Sequence, residues 1–232
     1  MKITKLLAFV VVSAFILSAC SNSENLLTET EQKNSLKSYK VKRDASGAYS
    51  LDYELENDVK SQSVKNLETN TNEFHLYQSD FSSSSKQTQE LFIDGKQLNI
   101  GFLDTRTDRE SRVTIEDDNA LSIKTMAKST KMLSEYSITA NEEGVLNLEF
   151  KVRNQVAVDF VFDEETSIYE IHLKEGKSTE TAFSRNLTQA TGAPLKIDFV
   201  THTNNDASAK GGAARSFVKR RKPRIVVSSD DV

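Results

Sequence analysis

The chain has 232 residues, a formal net charge of −4, 37% hydrophobic residues, 8 Gly, 2 Pro, no Trp and a single Cys. That length suits one large domain or two small ones. A lone cysteine excludes a disulfide framework or a cysteine-rich zinc site. Scarce Gly and Pro exclude collagen-like and proline-rich architectures, and no internal stretch reaches the ~18 apolar residues of a membrane-spanning helix.

Residues 1–19 read as an export signal. Lys2 and Lys5 precede an apolar run from Leu6 to Leu17 that only Ser13 interrupts. The run is too short to span a bilayer and has the length of a signal h-region. It ends in Leu17-Ser18-Ala19-Cys20, which resembles the lipobox of bacterial lipoproteins. The resemblance implies cleavage before Cys20, a diacylglyceryl group on its thiol and acylation, such as palmitate, on the freed amine. Two or three acyl chains anchor a protein stably where one binds marginally. The expected location is therefore the cell membrane, with the lipid bilayer as partner. The sorting pattern of the lipoproteins it resembles reserves Asp after the cysteine for inner-membrane retention, so Ser21 implies an outer-membrane address if the cell is Gram-negative. Residues 20–35 are polar and aperiodic, the composition of a flexible tether.

An internal repeat follows. Residues 36–103 align with 133–200 without a gap, and 16 of the 68 positions are identical. Alternating strands inflate such matches, but the shared turn residues Gly47/Gly144, Asn57/Asn154 and Gly95/Gly192 have no such origin. In the second copy Leu146, Leu148, Phe150 and Val152 alternate with polar residues, the period of a half-buried strand. Arg153-Asn154-Gln155 turns the chain, Val156, Val158, Phe160 and Phe162 repeat the pattern, and Tyr169, Ile171 and Leu173 form a third strand. The short polar turns predict an antiparallel meander. Leu195, Ile197 and Phe199 supply a later strand. In the first copy Tyr49, Leu51, Tyr53 and Leu55 keep the scheme, as do Phe74 and Leu76, but the middle strand reads Val59, Ser61, Ser63, Lys65. Such a strand suits a sheet edge better than the floor of a hydrated groove. Ser82–Ser85 reads as a loop, and Lys86–Phe92 as a short helix or strand. Val113–Ile115 and Leu121–Ile123 bracket an acidic turn at 116–119, which predicts an inserted hairpin.

The expected fold is all-β, a tandem antiparallel β repeat built as two small sandwiches or one pseudo-symmetric structure. Its first repeat with the inserted hairpin spans 36–132, and its second spans 133–203. A basic tail runs over 204–232. Residues 207–229 hold Lys210, Arg215, Lys219, Arg220, Arg221, Lys222 and Arg224 and no acid, beside an acidic body. The export signal argues against a nucleic-acid arm, leaving an anionic envelope polymer or the protein's own acidic surface as partner. Alternatively, Ser216-Phe217-Val218 and Ile225–Val227 are the two arms of a last hairpin with a basic turn.

The chain has no nucleophile elbow, His-Glu-x-x-His, phosphate loop or dinucleotide fingerprint. Glu73-Phe74-His75 and its repeat partner Glu170-Ile171-His172 place Glu and His on one strand face, and His202 could join them. Convergence on a metal would need geometry that the sequence does not carry, so no metal or cofactor is expected. Adjacent acids at Glu164-Glu165 and Asp117-Asp118 make no glycosidase pair. Tyr49, Tyr53 and Tyr77 are the aromatic candidates for sugar stacking in a chain without Trp. Asn186-Leu187-Thr188 matches a glycosylation acceptor that a bacterial lipoprotein has little reason to use. The reading that results is a non-catalytic binding or scaffold module of the cell envelope. A carrier of lipid or another apolar ligand, and an orphan envelope enzyme, are the alternatives.

Overall fold

The computed structural model describes residues 34–80, 86–91, 93, 95–117, 132–141, 143, 145–188, 193–204 and 217–229. The signal segment, Cys20, Ser82–Ser85, Leu121–Ile123, Gly144, Gly192 and residues 205–216 of the basic segment lie outside them. All regular elements among the described residues are strands. The first copy supplies β1 (Leu36–Arg43), β2 (Tyr49–Leu55), β3 (Val59–Asn66), β4 (Thr71–Gln78), β5 (Lys86–Leu91), β6 (Gln97–Asp104) and β7 (Arg109–Glu116). The second supplies β8 (Leu133–Asn141), β9 (Leu146–Val152), β10 (Val156–Asp163), β11 (Ile168–Glu175), β12 (Ala182–Leu187), β13 (Leu195–Asn204) and β14 (Phe217–Ser229).

These strands form a six-stranded sheet, β12-β9-β8-β1-β2-β5, and an eight-stranded sheet, β10-β11-β13-β14-β7-β6-β4-β3. Read from either end, each order exchanges a strand with its repeat counterpart. A pseudo-two-fold axis therefore passes between β1 and β8 in one sheet and between β7 and β14 in the other. The register agrees. Val41 pairs with Ile138, its own repeat equivalent. Leu98 pairs with Ile115 and Leu195 with Val227, so Thr114 and Val226 are equivalent, and these two also pair with each other. Of the two architectures open at the level of sequence, the chain adopts the single pseudo-symmetric one.

Local chemistry repeats with the frame. Asn66 Oδ1 accepts from the backbone of Glu68 and Thr69, as Asp163 Oδ1 does from Glu165 and Thr166. Asn70 and Ser167 close these turns at φ 53° and 54°. The β1–β2 and β8–β9 turns share the bond from Asp44 N to Ala48 O and from Asn141 N to Val145 O. Gly47 sits at φ 95°, and a Cβ there would come within 3.3 Å of the Arg43 guanidinium, so both backbone and neighbour require glycine.

Three expectations change. β9, β10 and β11 do not form a meander, because the chain crosses between sheets at Arg153-Asn154-Gln155 and only β10 and β11 pair. Strands facing one core from opposite sheets show the same alternation as paired neighbours. The repeat is also not wholly antiparallel: β4 with β6, and β11 with β13, run parallel. Each intervening strand, β5 or β12, lies in the opposite sheet and brings the chain back in its former direction. Finally, Phe217-Val218 and Ile225–Val227 are not the two arms of one hairpin: both belong to β14, which pairs with β13 across a register shift in the basic stretch and lies mid-sheet, against β7 as well, from Arg224 onward. Val113–Ile115 of β7 pairs with β6 and β14, so both its edges are occupied.

The inward faces meet in one apolar cluster. Tyr39 stacks on Phe102 of the facing sheet at 5.3 Å, and Phe150 meets Phe199 edge-on at 5.4 Å. The two flanks, where edge strands of the two sheets face each other, are closed by different chemistry. On the first-copy side Tyr53 Oη donates to Gln87 Oε1 at 2.6 Å, Ser61 Oγ reaches the same oxygen at 3.0 Å, and Gln89 Nε2 donates to Ser63 at 3.2 Å. On the second-copy side, the counterparts Phe150, Phe183, Phe160 and Arg185 stack. Phe150–Phe183 centroids lie 5.1 Å apart, and the Arg185 guanidinium lies 5.0 Å from the Phe160 ring. β3 is therefore the edge strand its polar residues suggested, and it is joined to β5 by hydrogen bonds.

Phe150→Ala should cost about 3–5 kcal/mol in urea unfolding, the usual loss for a large buried aromatic. Tyr53→Phe, which removes one hydroxyl from the opposite flank, should cost about 1 kcal/mol. Equal losses would contradict the assignment of an apolar and a polar flank.

Candidate functional site

The Glu-His pairs form as the strand period requires. His75 Nε2 lies 3.1 Å from Glu73 Oε2, and His172 Nε2 lies 2.7 Å from Glu170 Oε2. They do not converge. β4 and β11 are separated by four strands, a distance of about 24 Å at ~4.8 Å per strand step. His202 joins the second pair alone, with its Nε2 2.8 Å from His172 Nδ1. Both ring nitrogens of His172 are thus engaged within the protein. Among the described residues, no group of three or more His, Cys, Asp or Glu side chains is arranged so that it could hold a metal ion.

Nearby, each copy holds an arginine fork. Arg112 binds Glu110 at 2.6 and 2.8 Å, and its equivalent Arg224 binds Asp198 at 2.7 and 2.9 Å. The carboxylate comes from different strands: Glu110 lies over Gly101, the counterpart of Asp198. The hydrogen bond to Asp198 raises the pKa of Arg224. Lys222 lies 3.7 Å from Glu116. Two cations of the basic segment thus face acids of the protein itself.

The outward face of the six-stranded sheet carries a groove of about 580 Å³ whose lining includes Lys40, Glu149, Glu135 and Lys151. Four of its charges pair with one another, Lys40 with Glu149 at 2.8 Å and Lys151 with Glu135 at 2.7 Å, and Lys42 and Asp52 line it as well.

A second departure from symmetry, after that of the flanks, lies at two equivalent ends of the sandwich. At one end Asp117, which follows β7, is 1% exposed. Its Oδ2 accepts from Arg43 Nε at 2.7 Å and Tyr49 Oη at 2.9 Å. Because the Tyr49 proton goes to Asp117, Tyr136 donates the bond that joins the two phenols at 2.9 Å. Burial would lower the Arg43 pKa, but the charge of Asp117 and the bond to it raise it above the usual value. Burial pushes the Tyr49 hydroxyl well up, with Tyr136 and Asp117 adding to the effect. Burial likewise raises Tyr136.

At the other end the equivalents of Arg43, Tyr49, Asp117 and Met132 are Ala140, Leu146, Ser229 and Ser35. The last equivalence is fixed by matching bonds, Glu56 N to Ser35 O and Arg153 N to Met132 O. All four replacements are smaller, and the end stands open as a cavity of about 100 Å³. Tyr39, Leu76, Phe102, Leu146 and Val227 supply its apolar lining; Asn34, Ser35, Asp104, Arg109 and Ser229 supply polar groups. Arg109 Nη1 donates to Asn34 Oδ1 at 2.7 Å. Asp104 Oδ2 accepts from Ser35 N at 3.3 Å, and Arg106 Nε donates to Ser35 Oγ at 2.9 Å.

Sequence reasoning singled out the His and Glu pairs and missed this opening. The signal was present in the repeat alignment, where Arg43 stands against Ala140 and Tyr49 against Leu146. Of the candidate tyrosines, Tyr49 and Tyr53 point inward and are buried, and Tyr77 is 39% exposed.

No family model matches the chain, and no curated protein or solved structure gives a significant match.

Folding holds the phenolic protons of Tyr39, Tyr49 and Tyr136 more tightly than the unfolded chain does, since burial raises all three. Their contribution to stability is complete below about pH 10, the unfolded value, and falls as the pH rises beyond it. Urea midpoints should therefore drop above about pH 10, and Tyr49→Phe should flatten that drop. A wild-type midpoint unchanged through pH 11 would contradict the buried phenol cluster.

Proposed function

We propose that the protein is a membrane-anchored lipoprotein of the cell envelope, held by acylated Cys20, and that it acts as a non-catalytic binding module whose site is the open end of the sandwich. The observation that carries the binding reading is the unequal treatment of the two ends. The same frame is filled at one end by Arg43, Tyr49 and Asp117 and left open at the other. Side chains the size of those at the filled end would add packing contacts there, and that stability is forgone. Retention of the opening at that cost favours use of the space.

Among the alternatives, a carrier of long acyl chains suits the site less well. Pockets for such ligands run to about 300–1,000 Å³, against about 100 Å³ here. Asn34 and Ser35, where the chain enters the described body, line the opening. An extended chain of ~3.3–3.6 Å per residue from Cys20 to Asn34 spans at most about 50 Å, so an anchored Cys20 keeps the site close to the bilayer. For the basic segment 207–229, the bonds of Arg224 to Asp198 and Lys222 to Glu116 favour the protein's own acidic surface over an envelope polymer.

Two measurements test the reading. Cys20→Ala should abolish acyl labelling and release the protein from the membrane fraction; unchanged membrane association defeats the anchor. Ala140→Leu should fill the opening and raise the melting temperature. It should also remove the stabilisation that a small-molecule extract of the envelope gives the wild type, since a ligand of the folded state stabilises in proportion to its occupancy. Equal stabilisation of both proteins places the ligand elsewhere.

A further inference from the structure

The filled end of the sandwich is an internal template for the open one. There a carboxylate, that of Asp117, lies over an aromatic floor and is held by an arginine and a phenol. At the open end the floor is retained in Tyr39 and Phe102, the counterparts of Tyr136 and Phe199, while Ser229 replaces the aspartate and Ala140 the arginine. A guanidinium is still supplied, now by Arg109 from the start of β7. Its hydrogen bond goes to the neutral amide oxygen of Asn34 at 2.7 Å, which leaves its charge uncompensated by that partner. Of the two acids at the same mouth, Asp104 already accepts from the backbone of Ser35 and of Arg106, and Glu110 is held by the Arg112 fork.

We propose that the open end binds a small aliphatic carboxylate, with Arg109 taking the anionic group and Tyr39, Phe102, Leu146 and Val227 enclosing the hydrocarbon. Guanidinium recognises carboxylate with two parallel donors, a geometry in which hydrogen bonds are about twice as strong as neutral ones. The cavity limits the size of the acid. An apolar cavity of about 150 Å³ accommodates benzene, so about 100 Å³ admits a chain of about three or four carbons. The proposal rests on the reading of the open end as a binding site.

The test titrates the folded, mature chain with butanoate and with its neutral twin butanamide, following backbone amide shifts. Butanoate should perturb residues around Tyr39, Ala140 and Ser229, with butanamide at least ~10-fold weaker, the factor set by one charge-assisted contact of about 1.4 kcal/mol. Arg109→Gln should bring the acid down to the affinity of the amide, and Arg109→Lys should restore part of the difference. Ala140→Leu should abolish binding of both. Acid and amide binding equally well, with both lost in Ala140→Leu, overturns the carboxylate while leaving the open end as a site. Unchanged butanoate affinity in Arg109→Gln also overturns it. So does the absence of any shift in the folded wild type up to about 20 mM, a range that reaches weak ligands of this size; the extract measurement then judges the binding reading separately.

Discussion

Two antiparallel contacts make one protein out of two copies. Val41 against Ile138 joins the copies in the six-stranded sheet, and Thr114 against Val226 joins them in the eight-stranded sheet. Without them each copy would be three strands facing four, with a raw edge on each sheet and the apolar faces of β1 and β7 half covered. With them the inward residues of both copies form a single core. The basic strand β14 follows from this constraint. Its last residues must lie beside β7 for the two-fold to close, which puts Arg224 in mid-sheet against Asp198 and Lys222 within reach of Glu116.

Within that frame the two copies solve equal problems with different chemistry. A hydrogen-bonded set of Tyr53, Ser61 and Gln87 closes one flank, and stacked Phe150, Phe160 and Phe183 close the other. The buried Arg43–Asp117 pair is not a cheap filler. Removing two charges from water costs several kcal/mol per ion before attraction and hydrogen bonds offset it. Tyr49 and the backbone carbonyls of Asp44 and Ser134, which Arg43 also reaches, are the groups that make the arrangement tolerable.

The duplication and the strand pattern were legible in the sequence because they depend on local spacing. The crossing of β9 to β10 between sheets was not, since alternation records which side chains face the core and not which sheet presents them. The central place of β14 was hidden for a related reason. Ile225 and Val227 carry the alternation of a buried strand, but Lys219–Arg224 masks it, and nothing local tells a mid-sheet cation that Asp198 waits on the next strand. The open end was invisible to motif reasoning because it consists of what Ala140, Leu146 and Ser229 lack. It becomes readable only when the two copies are compared position by position in a known frame.

The two-fold register has a further consequence for what such a chain can become. Two identical unlinked polypeptides meeting at Val41/Ile138-type contacts would form a homodimer, and its symmetry would oblige both ends to carry the same residues, both sealed or both accessible. Fusion lifts that obligation. Pairing becomes intramolecular and persists at any dilution, so each half is free to change without its mate. The salt bridge at Asp117 and the vacancy at Ser229 could not coexist in such a homodimer, but they do in the joined pair, where one end is sealed and the other stands open.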